Sequence, residues 1–167
     1  MRIALGIACS AVLAGSALAE QWALPPSAQS ISERISVFDS YALPTGPFAS
    51  GHVPSQVVEG RVDRRSWRLD GAASTTLQLL DPLREQLEAD GYRVVFECQD
   101  RMCGGFDFRF GIEVIPAPDM IVDIGDFRLV SAIRGAFDVV TILLSRAGTS
   151  NYVQIIQVGA AEKPETP

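Results

Sequence analysis

The chain has 167 residues, 47% of them apolar, with 14 Lys plus Arg against 20 Asp plus Glu, so its formal net charge is −6. That length supports one domain with a real core. The acid excess argues against wrapping nucleic acid or resting on an anionic membrane by charge, because both rely on a basic surplus.

The N-terminus reads MRIALGIACSAVLAGSALAEQ. Arg2, an apolar small-residue stretch and the Ala17-Leu18-Ala19 triplet follow the plan of a secretory signal peptide over residues 1–19, with cleavage after Ala19. The apolar run is short, rich in Ala, Gly and Ser, and lacks a charged stop, so it does not read as a membrane anchor. A lipid anchor would need a Cys after Leu13-Ala14-Gly15, where Ser16 stands. Processing leaves 13 basic residues against 20 acidic ones and discards Cys9, so Cys98 and Cys103 remain as an even pair in an exported chain.

Residues 20–55 carry Pro25, Pro26, Pro44, Pro47 and Pro54 with many Ser, Gly and Ala, which predicts an extended N-terminal arm. Residues 56–159 form the expected domain, and 160–167 (AAEKPETP) a flexible tail. Within the domain, Val57–Leu69 has strand composition. Leu80, Leu83 and Leu87 then share a helical face, and Asp90-Gly91 marks the stop. Pro82 is tolerated only in a first turn, so a regular helix is expected to begin near Gln78 to Asp81.

After Gly91 the chain reads as β to its end. Arg93–Cys98 and Phe106–Ile115 alternate, the latter placing Phe106, Phe108 and Phe110 on one face. Asp138–Ser145 is apolar on both faces and predicts a central strand, partnered by Tyr152–Val158. Residues 127–134 are ambiguous between strand and short helix. The sum is an α+β fold, an antiparallel sheet with one main helix packed on one face.

The most specific local feature is CQDRMCGG, with four residues between Cys98 and Cys103. A redox pair of the thioredoxin kind has two intervening residues, and a zinc site needs two further ligands where His52 is the only imidazole. A structural disulfide between Cys98 and Cys103 is the expectation, with Gly104-Gly105 supplying positive φ beside it. Asp119, Asp123 and Asp126 have the wrong spacing for a calcium loop and read as turn and surface residues. Arg61, Arg64, Arg65 and Arg68 divide between two strand faces, so they read as a solvated edge more than an anion site. His52 has no acid nearby, and no Ser sits in a nucleophile elbow. No catalytic residue, metal site or cofactor is therefore assigned, and the expectation is a non-enzymatic protein. The three-Phe stripe reads as core in preference to a ligand groove.

The run GYRVVFECQDRMCGGFDFRFGIEVIPAPDMIVDIGDF, with LLDPLREQLEADGY before it and VTILLSRAGTSNYVQIIQV after it, resembles the N-terminal domain of OmpA-family proteins of alphaproteobacteria, an uncharacterised envelope domain family. SYALPTGPF also fits that pattern. The resemblance spans about residues 40–159, and FEC…CGGFDFRF is its specific part. It implies the periplasm, association with the outer membrane, and envelope proteins or cell-wall components as partners. In such relatives an OmpA-like peptidoglycan-binding domain follows, whereas here the chain ends at AAEKPETP, so peptidoglycan binding is not carried over. The alternative expectation is a periplasmic carrier of a small ligand or lipid that uses the aromatic face beneath the helix.

Overall fold

The computed structural model describes residues 21–161, apart from position 72. The expected signal peptide with its cleavage site at Ala19, and most of the expected tail, lie outside these residues. Six strands, β1 (Gln29–Pro44), β2 (Ser55–Asp70), β3 (Arg93–Gln99), β4 (Phe127–Arg134), β5 (Asp138–Ala147) and β6 (Ser150–Gly159), form one antiparallel sheet in the order β1-β2-β6-β5-β4-β3. The helices are α1 (Thr76–Ala89), α2 (Asp100–Cys103) and α3 (Gly105–Gly111). None of the described helices is long and apolar enough to cross a membrane.

β5 and β6 lie inside the sheet because each sends apolar side chains to both faces, and seven of the ten residues in each are buried. Their register pairs Ala147 with Ser150, leaving Gly148-Thr149 as a two-residue turn in which Gly148 takes φ 62°. β2 and β3 run parallel at a distance of three strands, so the chain needs a crossover between them, and α1 supplies it. Thr75 caps α1 through a capping box with Gln78. At the other end Gly91 takes φ 83°, while the N–H groups of Gly91 and Tyr92 donate to the carbonyls of Glu88 and Leu87. This is a Schellman stop at the expected glycine.

Alternation gives the sheet two covered faces. On one, Leu79, Leu80, Leu83 and Leu87 of α1 pack on Val130, Ala132, Val140, Ile142, Leu144, Val153 and Ile155, together with Trp22 from the N-terminal segment. Each fully buried aliphatic side chain stabilises by roughly 1.5–3 kcal/mol. The opposite face is covered in two pieces. α2, α3 and the loop that follows bury Cys103, Phe108, Ile115 and Met120 against Phe127, Leu129 and Leu143. The far end of the β1–β2 ribbon covers the rest, where Tyr41, Leu43, Val58 and Val62 meet Val139, Ile156 and Val158. Gly60 lies where the ribbon passes the end of β6, and a Cβ there would collide with the carbonyl of Gly159. Burial pushes the Tyr41 phenol well above its ordinary range.

Four expectations are corrected. The fold is β-rich, with helices of 14, 4 and 7 residues, and not an α+β fold built on one main helix. Residues 29–44, expected in an extended arm, form edge strand β1 along β2. Its Pro44 is tolerated because it is terminal on an edge strand. Phe106–Ile115 is not a strand, since α3 occupies most of it. Helix α1 begins at Thr76 with Pro82 inside it, because the capping box closes the first turn and four buried leucines outweigh the one lost backbone bond. The ambiguous residues 127–134 form β4.

Candidate functional site

The segment after β3 is an elbow of two short helices held on several sides. Cys98 at the end of β3 is disulfide-bonded to Cys103 at the end of α2. Between them Asp100 takes φ 42°, and its carboxylate accepts a 2.6 Å bond from the Phe127 N–H, which fixes the corner to β4. Gly104 and Gly105 follow with φ of 121° and 59°, values that side chains of L-residues rarely tolerate. The pair thus turns the chain beside the bridge, as its position in the sequence suggested.

The β1–β2 loop, residues 45–54, lies against this elbow. The Phe48 N–H donates to the Cys103 carbonyl at 2.8 Å. A Cβ on Gly104 would stand 2.6 Å from Phe48 Cβ, and one on Gly111 would stand 2.6 Å from Val53 Cγ2. On the sheet side Phe108 is fully buried, stacked at 10° on Phe127 with ring centroids 6.2 Å apart and tilted against Phe96.

With that much of the elbow anchored, its outer surface is apolar and open. Phe106, Phe110 and Met102 are 61%, 65% and 76% exposed. The rings of Phe106 and Phe110, one helical turn apart, have centroids 4.5 Å from one another. The Arg109 guanidinium lies 5.1 Å from the Phe110 centroid, and burial without a carboxylate partner pulls its pKa below the ordinary value. At Met102 is an open cleft of about 310 Å³, also lined by Gln99, Asp100, Arg101 and Gly125. The elbow thus holds exposed aromatic surface on a well-anchored mount, and contiguous apolar exposure is a common mark of interaction surfaces.

The three phenylalanines therefore separate. Phe108 is core, as expected, whereas Phe106 and Phe110 are surface, because a helix places residues i and i+4 together and turns i+2 to the other side. The signal for this was present in the i, i+4 pair behind two glycines, but it was masked by a period-2 pattern that fits a strand equally well.

The other singled-out residues are spread over the fold. His52 is exposed in the β1–β2 loop, where its Nδ1 lies 3.4 Å from the Ser50 carbonyl oxygen. Asp119 pairs with Arg34, Asp123 accepts from the Gly125 N–H, and Asp126 accepts from the Thr76 hydroxyl. Among the described residues no three His, Cys, Asp or Glu side chains are grouped to hold a metal ion. Arg64 is clamped between Glu113 and Asp39, Arg65 between Asp63 and Glu33, and Arg68 pairs with Asp70. Arg61 is in no ion pair among the described residues. The cluster thus serves chiefly to tie β2 to β1 and to the loop beyond α3.

A second cleft of about 270 Å³ lies where the N-terminal segment crosses Trp67, lined by Trp22, Pro25 and Pro26 among others. That segment is fixed to α1, since Gln86 accepts from the Ala23 N–H and donates to the Gln21 carbonyl. No family model matches the chain, and a search of curated proteins finds no match either.

Proposed function

We propose that the chain is a non-enzymatic interaction module of the bacterial cell envelope, exported to the periplasm and related to the N-terminal domains of OmpA-family proteins. The observation that carries this reading is the anchored elbow that turns Phe106, Phe110 and Met102 outward. A disulfide at its base suits an oxidising compartment. The docking partner is an envelope protein at or near the outer membrane. The carrier reading loses its lining, because Phe108 is in the core while Phe106 and Phe110 face solvent.

The test is fractionation followed by chemical crosslinking and pull-down from intact envelopes. The expected result is a chain in the periplasmic fraction that begins after Ala19, with crosslinked species that disappear in Phe106→Ser/Phe110→Ser. Full-length chain retained in the cytoplasm, or crosslinks indifferent to both substitutions, would overturn it.

A further inference from the structure

The sheet has two open edges, β1 and β3, and they differ in how they are protected. β3 has 7 residues and a register shift between Val94 and Phe96, and it runs into the disulfide-braced elbow. Shortness, bulging and a covered end are ordinary ways of keeping an edge from pairing with another chain. β1 has 16 residues, no Lys, and an outer side that pairs with no strand among the described residues. Its register shifts, between Ser30 and Ser32 and between Ser36 and Asp39, leave residues 32–36 as an uninterrupted run. The same strand carries four of the eleven large hydrophobic residues exposed among the described residues, Ile31, Ile35, Val37 and Phe38, the last two 69% and 65% exposed. Ile35 lies opposite Asp63, which shares a sheet face with Trp67, so Ile35 is on the face that α1 covers. α1 packs on β4, β5 and β6, and Ile35 remains 43% exposed.

The charges on β1 are satisfied within the chain, Glu33 by Arg65, Arg34 by Asp119 and Asp39 by Arg64. A neighbour at this edge therefore meets open main-chain groups and apolar side chains without an uncompensated charge, acidic though the chain is as a whole. A segment that fits such an edge is extended, free of proline and apolar at alternate positions on one face. Residues 32–37 of a second copy meet those terms, and antiparallel pairing of an edge with itself gives a closed two-fold dimer. Like charges directly opposite one another disfavour pairing, and this selects the register. A two-fold axis at Glu33 or Arg34 sets that residue against its own copy, and one at Ser32 or Ser36 runs into a register shift after a single residue. An axis at Ile35 sets Ile35 against Ile35, Arg34 against Ser36 and Glu33 against Val37. We infer that β1 pairs antiparallel, edge to edge, with β1 of a second copy of this chain, with Ile35 at the two-fold axis. The two β3 edges stay outside the pairing, so assembly stops at two. Residues 32–37 are separate from the elbow, and the dimer stands or falls independently of it.

The experiment measures sedimentation of the purified chain, its bridge intact, from micromolar to submillimolar concentration, in a Cys9→Ser background that leaves no other thiol. Expected is a monomer–dimer equilibrium, weakened roughly tenfold or more in Ile35→Lys, where two lysines meet at the axis. Phe137→Ser, at an equally open ring outside β1, should leave the equilibrium unchanged. Disulfide trapping tests the register separately. Across the axis the two Cα atoms of residue 35 stand about 5 Å apart, within disulfide reach. Those of residue 36 stand roughly 8 Å apart, with side chains on the other face. Ile35→Cys should therefore give covalent dimer on mild oxidation, and Ser36→Cys little. A monomer at every concentration, a dimer indifferent to Ile35→Lys, or one lost only in Phe106→Ser/Phe110→Ser would overturn the inference, as would equal trapping at positions 35 and 36. An unchanged thermal midpoint verifies that Ile35→Lys folds, and if it does not, the two cysteine variants decide alone.

Discussion

The Phe48 N–H donates to the Cys103 carbonyl at 2.8 Å, and this single bond joins the loop between the two longest strands to the disulfide that braces the elbow. Because Cys103 is itself linked to Cys98 of β3, the two edges of the sheet, β1 and β3, are connected through the elbow without pairing directly.

The disulfide is expected to contribute measurably. With a sequence separation of 5, the chain-entropy account of a short ring gives about 2 kcal/mol. Cys98→Ser/Cys103→Ser should lower the denaturation free energy by about that amount in urea titration. Loss of less than a few tenths would show that the elbow is held by packing alone.

The elbow glycines give a sharper expectation. Gly104 combines φ 121° with a Cβ position 2.6 Å from Phe48 Cβ, so Gly104→Ala must strain the backbone and displace the β1–β2 loop together. A cost of roughly 1–3 kcal/mol follows. Gly71→Ala, with φ 62° but nothing within 4 Å of the added Cβ, should cost less, and equal losses would contradict the proposed contact.

The three phenylalanines should respond differently to truncation. Phe108→Ala opens a core cavity and should cost about 3–5 kcal/mol. Phe106→Ala removes a solvent-facing ring and should change stability by no more than about 0.5 kcal/mol. Comparing the two thermal midpoints checks the helical reading of α3, since a strand would place both rings on the same face.

Acid should weaken the fold through Asp39 and Asp70. The Ser40 N–H, and next to it Arg64, hold the Asp39 carboxyl below its ordinary value of 3.8. The Ser150 hydroxyl and Arg68 do the same for Asp70. A folded-state pKa lowered in this way means stabilisation that is complete above the unfolded value and disappears as pH falls through the folded one. Unfolding midpoints should therefore hold down to about pH 4 and drop below it. Asp39→Asn/Asp70→Asn should show a shallower drop, and an identical profile would remove these two groups from the account.

Much of the fold was legible because period and burial agreed. The Leu80, Leu83 and Leu87 stripe with Gly91 behind it located α1, and the two-sided apolar run of β5 located the sheet interior. β1 was hidden because its side chains are mostly exposed, so SISERISVFDS shows no buried alternation, and prolines at either end suggested a loop. Tertiary pairing with β2 makes the strand. In FDFRF the local pattern fits a strand, but the bridge at Cys103 and the positive φ at Gly104 and Gly105 redirect the chain into a helical turn. The disulfide itself was readable from the cysteine count, whereas the outward aromatic ridge depends on that redirection, and its i, i+4 spacing was masked by the equally good period-2 pattern.

The most direct test of the docking claim is site-specific photocrosslinking in living cells, with a photoreactive residue in turn at positions 106, 110 and 137. Phe137 is 66% exposed, as open as Phe110, yet lies in the β4–β5 turn away from the elbow, so it controls for general stickiness. Positions 106 and 110 should each give a discrete adduct and position 137 none. Adducts of equal strength from all three, or from 137 alone, would contradict it.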